Sequence, residues 1–210
     1  MVSEKALEEY KKIYKEEYGE EISDKEALAQ ATNLLTMFKT IYRPVKKEWM
    51  DEYISKEIRG LEELVYAQFK LDINGIHGIK HWKRVQLIGR YLAKHTQADT
   101  EVVDLFAYLH DSKREDDNDD IYHGKRASIF AQQLYDKRIL TIKEDQLKQL
   151  LFACEHHTDS KIKSKDITIQ TCWDADRLDL WRLGIKPDPF FLNTEFAKRD
   201  EVIELWRQVI

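Results

Sequence analysis

Three polar residues lie where the sequence pattern predicts the buried faces of helices. His81 begins a stripe whose next members, Val85, Ile88 and Leu92, follow four, seven and eleven residues later, the spacing of one face of an α-helix. The same test predicts an inward orientation for two further residues, His110 and Asp176. Imidazole and carboxylate groups are therefore expected to meet inside the protein.

These residue types indicate a metal site. Asp111, which directly follows His110, and Asp176 would each cost on the order of several kcal/mol to bury without a cation or strong donors nearby. A divalent metal such as Mn, Fe, Co, Ni, Zn or Mg would neutralise them, and mixed imidazole and carboxylate ligands leave positions open for water and substrate. Alternatively, each histidine is a core residue that hydrogen-bonds to a neighbouring backbone or carboxylate group.

Three segments carry a resemblance to a known family: HGIKHWKRV around His81, LFAYLHDSKRED around the His110-Asp111 doublet, and TCWDADRLDLWRLG around Asp176. With this order and spacing, the chain resembles the HD superfamily of metal-dependent phosphohydrolases from about Ile76 to Gly184. The resemblance implies an all-α fold, an HD-domain helical bundle with the doublet at the end of a central helix. It also implies a set of metal ligands that includes Asp176 rather than Asp174: His81, His110, Asp111 and Asp176.

Two further histidines raise the question of a second metal. Some members of the superfamily add histidines between the doublet and the last aspartate, and His123 and His157 stand in those places. The alternative is that both contact ligands or substrate phosphate in a one-metal site. Arg114 and Arg126 follow the doublet and His123 closely, so they are candidates for stabilising phosphoryl charge. The predicted catalytic residues are Asp111, Arg114, His123, Arg126 and His157.

The resemblance implies a phosphatase, pyrophosphohydrolase or phosphodiesterase that hydrolyses a phosphate ester or anhydride of a nucleotide or related small molecule. Two alternatives stay open. One is a two-metal phosphodiesterase acting on cyclic nucleotides or nucleic acid, and the other is a non-catalytic, metal-binding regulatory protein. His77 lies at a turn and is expected to orient the site rather than bind metal, and Asp174 and Asp179 are expected to orient ligands or contact a basic residue.

Composition limits the partners. A net charge of -5 argues against broad attraction to nucleic acid, so a small phosphorylated substrate is expected. No stretch approaches the roughly 20 apolar residues that cross a bilayer, and the start MVSEKALEEYKK is too charged for a signal peptide. The expected location is the cytoplasm.

Few glycines and prolines interrupt the chain, and apolar residues recur at helical spacing. We predict an N-terminal helical extension over residues 1–72 and an HD domain with a C-terminal helical tail over 73–210. The extension is expected to pack on the catalytic domain, to gate its pocket or to form a homo-oligomer. Ser23-x-x-Glu26 predicts a capping box, residues 46–70 predict a helix, and the one predicted strand is Ile167-Thr168-Ile169.

Overall fold

The computed structural model describes residues 3–41 and 56–207, and the side chains of 3–34 and 60–207. All regular elements in these ranges are helical, which confirms the predicted all-α class. Two 3₁₀ turns, Asp179–Leu183 and Pro189–Phe191, accompany the α-helices. The helices are α1 (Glu4–Tyr18), α2 (Asp24–Ile41), α3 (Lys56–Gln68), α4 (Ile79–Thr96), α5 (Thr100–Leu109), α6 (His123–Asp136), α7 (Glu144–His156), α8 (Ile167–Leu178) and α9 (Asp200–Arg207).

The chain divides into two compact units, Met1–Tyr53 and Ile54–Ile210. In the first unit α1 packs against α2. The capping box at the start of α2 is confirmed, because the Glu26 backbone N–H donates to Ser23 Oγ at 3.3 Å and the Ser23 N–H donates to the Glu26 carboxylate at 3.2 Å. These bonds satisfy amides that the helix itself leaves without acceptors.

The second unit is built around α5. Every residue of this helix from Val102 to Leu109 is buried, and the helix packs against α3, α4, α6, α7 and α8. Seven of the eight residues from Val102 to Leu109 are apolar, and the carboxylate of the eighth, Asp104, pairs with Arg90 at 2.6 Å, as expected for a helix in the core. Because the His110-Asp111 doublet directly follows α5, the chain delivers both side chains into the middle of the bundle.

The predicted strand Ile167-Thr168-Ile169 is wrong, since these residues form the first turn of α8. The carboxylate of Asp166 accepts the backbone N–H groups of Thr168 at 2.8 Å and Ile169 at 3.2 Å. Such a cap contributes about 1 kcal/mol, which exceeds the small helix penalty of each β-branched residue.

Residues 56–68, which we assigned to the N-terminal extension, form α3 in the second unit, with Leu61 and Val65 in its core. The part of the predicted helix 46–70 that precedes residue 56 lies outside the described residues. The domain boundary near residue 72 stays a prediction. Among the described helices, none combines the length and apolar character that a membrane span requires.

Gly124 allows the first turn of α6 to approach the last turn of α7. A Cβ atom at this position would lie 2.6 Å from the carbonyl oxygen of Cys154 and 2.9 Å from that of Glu155. Both obstacles are main-chain atoms, so a side chain would force the helices apart. The contact matters because His123 and His157 stand at these two helix ends.

Candidate metal centre

Four buried histidines meet in two pairs inside the second unit. The Nε2 atoms of His81 and His110 are 3.1 Å apart, and those of His123 and His157 are 2.9 Å apart. The four side chains come from α4, the end of α5, the start of α6 and the end of α7. None is more than 2% exposed. The structure thus brings together the four histidines that the sequence predicts for the site.

The other ring nitrogen of each histidine has an acceptor. Nδ1 of His110 donates to the Phe106 carbonyl at 3.0 Å and Nδ1 of His157 donates to the Cys154 carbonyl at 2.7 Å. Nδ1 of His123 donates in the same way to the Asp120 carbonyl. Since a carbonyl oxygen only accepts, these contacts place the proton of the neutral ring on Nδ1. Nε2 then presents a lone pair to the centre, as a metal ligand does.

Two facing lone pairs repel unless a cation lies between them. Burial lowers the pKa of His110 to about 3, so this ring is neutral at physiological pH. Burial opposes the charged form of His81 as well, but hydrogen bonds to Asp176 and Asp179 outweigh it and raise the pKa of His81. The donor set fits a metal ion at each pair.

Asp111 lies between the two pairs of histidines. Its Oδ2 atom is 3.6 Å from Nε2 of both His81 and His110. Its Oδ1 atom is 3.2 Å from Nε2 of His123 and 3.6 Å from that of His157. Ligands bound to one ion at about 2.0–2.2 Å are separated by roughly these distances. Each carboxylate oxygen thus faces a different pair.

Asp176 lies beside the pair formed by His81 and His110. Its Oδ1 atom is 3.4 Å from Nε2 of His81 and 3.7 Å from that of His110. The Asp176 side chain is 19% exposed, against 4% or less for Asp111 and the paired histidines, so the centre opens to solvent on the side of Asp176. Burial opposes ionisation of both aspartates, but the surrounding histidines hold the pKa of each carboxyl well below its usual range.

The architecture matches a solved protein structure. A predicted HD superfamily hydrolase from an uncultured Thermotogales bacterium superposes with a TM-score of 0.55 and 23% identity, covering 72% of this chain and 85% of the other. The chain has an HD-domain fold. No protein-family model matches the chain, and no match was found among curated proteins.

Within the HD fold, Asp179 holds His81 in position. The buried Asp179 carboxylate accepts Nδ1 of His81 at 2.7 Å. It also accepts two bonds from the Arg84 guanidinium, at 2.5 and 3.0 Å. The two N–H donors of the planar Arg84 guanidinium fix the orientation of the Asp179 carboxylate. The carboxylate in turn fixes the orientation of the His81 ring. Sequence reasoning missed Arg84, although its position three residues after His81 places both on one helix face.

Replacing Asp179 with asparagine is expected to lower the affinity for the ion at His81 and His110 by about 10- to 100-fold. Asparagine keeps the size of the side chain but loses the charge that orients the imidazole and raises its basicity. A calorimetric metal titration measures the change. Asp145→Asn, at an exposed site on α7, is the matched control. Equal affinities for the two variants would contradict the positioning role.

The other predicted site residues surround Asp111 or His123. The Arg114 Nε–H donates to Asp111 Oδ1 at 3.1 Å, and Nδ1 of His77 lies 2.9 Å from Asp111 Oδ2. Arg126 donates from Nε to the Lys113 carbonyl at 3.1 Å and from Nη2 to the Asp120 carboxylate. Arg126 thus fixes the loop whose Asp120 carbonyl orients His123.

Asp174 faces away from the centre. Its Oδ1 atom accepts the backbone and side-chain N–H groups of Asn193 at 2.7 and 2.9 Å. Its Oδ2 atom accepts the backbone N–H and the hydroxyl of Thr194, both at 2.8 Å. Burial raises the pKa of Asp174 despite these bonds. This aspartate anchors the chain that follows the second 3₁₀ turn, whereas Asp176 lies among the histidines.

Proposed function

We propose that this protein is a metal-dependent phosphohydrolase with two metal sites, which cleaves a phosphate ester or anhydride of a nucleotide or related small molecule. The observation that carries the proposal is the placement of Asp111, with one carboxylate oxygen toward each pair of histidine Nε2 atoms. The HD fold and the open side at Asp176 support it. The net charge of -5 favours a small substrate over nucleic acid.

His81, His110 and Asp176 would hold one ion, His123 and His157 the other, and Asp111 would bridge them. Bound divalent ions in such a site lower the pKa of water toward 7 and draw charge from the phosphoryl oxygens. The protein fixes the geometry: carbonyl groups hold three of the Nδ1 protons and Asp179 holds the fourth. Because these hydrogen bonds already orient the imidazole rings, the rings need not reorient during the reaction.

Arg114 and Arg126 remain candidates for charge stabilisation. The Arg114 guanidinium lies against Asp111 and is almost fully buried, so its charge would lie close to a phosphoryl group bound at the centre. Arg126 is tied to Asp120 at the loop before α6. In this arrangement Arg114 supports Asp111 directly, while Arg126 acts on the site through His123.

The proposal is tested by metal content and hydrolysis measured on the same protein. The chain, stripped and reloaded with Mn, Fe or Zn, is expected to hold two ions and to hydrolyse members of a panel of phosphomonoesters, pyrophosphates and diesters. His123→Ala should retain one ion, because only the second pair is broken. His156→Ala is the control, since the adjacent His156 contacts Phe152 rather than the centre. One ion in the unmodified protein would contradict the two-metal site.

The paired arrangement also suits a phosphodiesterase, since ions held by the two pairs of histidines and Asp111 would supply the positive charge that a phosphodiester displacement needs on both sides of the phosphorus atom. The diesters in the panel, including cyclic nucleotides, separate this second candidate from a monophosphatase. Hydrolysis of the diesters alone would favour it.

A further inference from the structure

The residues that directly follow Asp111 form a buried turn. Ser112 is 1% exposed and Arg114 is 8% exposed. The backbone N–H and the hydroxyl of Ser112 both donate to the Leu109 carbonyl, at 3.0 and 2.7 Å, and the Arg114 N–H donates to the Asp111 carbonyl at 3.0 Å. These bonds shape the turn, but they do not fix it relative to the helices that carry the histidines.

Gln68, the last residue of α3, connects this turn to a distant helix. Its amide nitrogen donates to the Ser112 carbonyl at 3.0 Å and to the Val65 carbonyl of its own helix at 3.1 Å. Its amide oxygen accepts the Lys113 ammonium. One partly buried side chain therefore binds the two residues that follow Asp111, from 44 positions earlier in the sequence.

The three partners fix the orientation of the Gln68 amide. An ammonium group only donates, so it must face the amide oxygen, and a carbonyl oxygen only accepts, so it must face the amide nitrogen. The Lys113 ammonium is held on its other side, 3.9 Å from the centroid of the Phe130 ring, which attracts a cation. The reversed amide would make none of these hydrogen bonds, so the N–H group stays on the Ser112 carbonyl.

The helix that presents Gln68 is firmly packed. Leu61 of α3 is 1% exposed in the core of the second unit. The Phe69 ring, directly after Gln68, meets the Trp82 ring edge-on, with the two ring centroids 4.9 Å apart. Trp82 follows His81 on α4. The connection thus runs from the turn after Asp111, through the end of α3, to the helix that carries His81.

The arrangement around Asp111 depends on where this turn lies. One carboxylate oxygen is 3.6 Å from Nε2 of His81 and the other is 3.2 Å from Nε2 of His123. A shift of the turn moves both oxygens together, so it disturbs both pairs of histidines at once. Ligands of a working site must be held to within about 0.5 Å by the residues that support them.

We infer that Gln68 is a positioning residue, whose amide N–H holds the backbone of Ser112 so that each oxygen of Asp111 faces its own pair of histidines. The inference rests on the proposed function, because it assigns Gln68 a part in the same metal centre. Gln68 precedes Ile76, where the resemblance to the HD superfamily begins, so that resemblance gives it no role.

The test is a calorimetric titration of the metal-stripped full chain with Mn or Zn. Gln68→Met has a similar length and volume but no hydrogen-bonding group. Gln68→Glu keeps an oxygen for the Lys113 ammonium but loses the N–H that the Ser112 carbonyl accepts. Both variants are expected to lower the metal affinity by about tenfold. Gln133→Met, at an exposed position on α6, is the matched control.

Thermal melts of the metal-free variants separate positioning from stability. Asp174→Ala serves as the reference here, since Asp174 faces away from the centre and its loss should lower the melting temperature without lowering the metal affinity. Native metal affinity in either Gln68 variant would overturn the inference. A lower melting temperature with native metal affinity would assign Gln68 to the stability of the fold alone, which would overturn it as well.

The titration does not depend on hydrolysis. A protein that binds metal but cleaves no phosphate compound would contradict the proposed function, and the affinities of the Gln68 variants would still decide the role of Gln68. Absence of metal binding by the unmodified protein would overturn both.

Discussion

Asp111→Asn is expected to reduce kcat/KM for phosphate hydrolysis by more than about 100-fold, beyond the 10- to 100-fold typical of groups that only support a ligand. Asparagine has nearly the same size, but its amide offers one oxygen and no charge. In the native site each carboxylate oxygen faces a different pair of histidines. The variant cannot serve both pairs, so at least one ion should be lost.

Initial rates and metal content per chain measure the effect of Asp111→Asn. Asp119→Asn, an exposed position in the following loop, controls for the removal of one negative charge near the site. A circular-dichroism melt separates a damaged centre from a damaged fold. Activity within about threefold of the unmodified protein, with two ions still bound, would show that Asp111 does not bridge the pairs.

Asp174→Ala is expected to lower the melting temperature by roughly 10 °C while the metal content stays unchanged. The substitution leaves four donors from Asn193 and Thr194 without their acceptor. An unsatisfied buried donor costs about 1–3 kcal/mol, and water that enters the cavity can replace part of the lost bonding, so we expect a net loss of about 3–5 kcal/mol. For a chain of this size, 1 kcal/mol corresponds to about 2–4 °C.

Asp176→Ala supplies the matched comparison, because this residue stands on the same helix two positions later. It should lose metal and activity with a smaller change in the stability of the metal-free protein. Thermal melts of the metal-free and metal-loaded forms measure both effects. A similar loss of metal in Asp174→Ala would contradict the separate roles that the hydrogen bonds indicate.

Helical periodicity predicts which side chains turn inward because it is a local property of the sequence. His81 and His110 continue apolar stripes, and both are buried. The central position of the helix before the doublet, in contrast, was implied only by the resemblance to the HD superfamily. The error at Ile167-Thr168-Ile169 has a local cause too, since the capping carboxylate of Asp166 outweighs the preference of β-branched residues for strands.

Contacts between distant segments could not be predicted in the same way. Asp179 meets Arg84 across 95 positions of sequence, and no spacing rule links them. The packing of α6 against α7 brings His123 to His157. It also decides which oxygen of Asp111 faces these two histidines. The sequence therefore identifies the imidazole and carboxylate residues, while their positions around the two carboxylate oxygens of Asp111 require the three-dimensional fold.

The need for glycine at position 124 has a consequence for how the contact between His123 and His157 can change in evolution. The close approach of His123 to His157 depends on main-chain atoms of Cys154 and Glu155 lying where a Cβ would otherwise be. A larger residue at position 124 would move the imidazole rings of His123 and His157 apart. Both histidines would still be present in the sequence. A descendant of this protein could therefore lose the contact between His123 and His157 while it retains every histidine and aspartate, and an inventory of these residue types would not reveal the change.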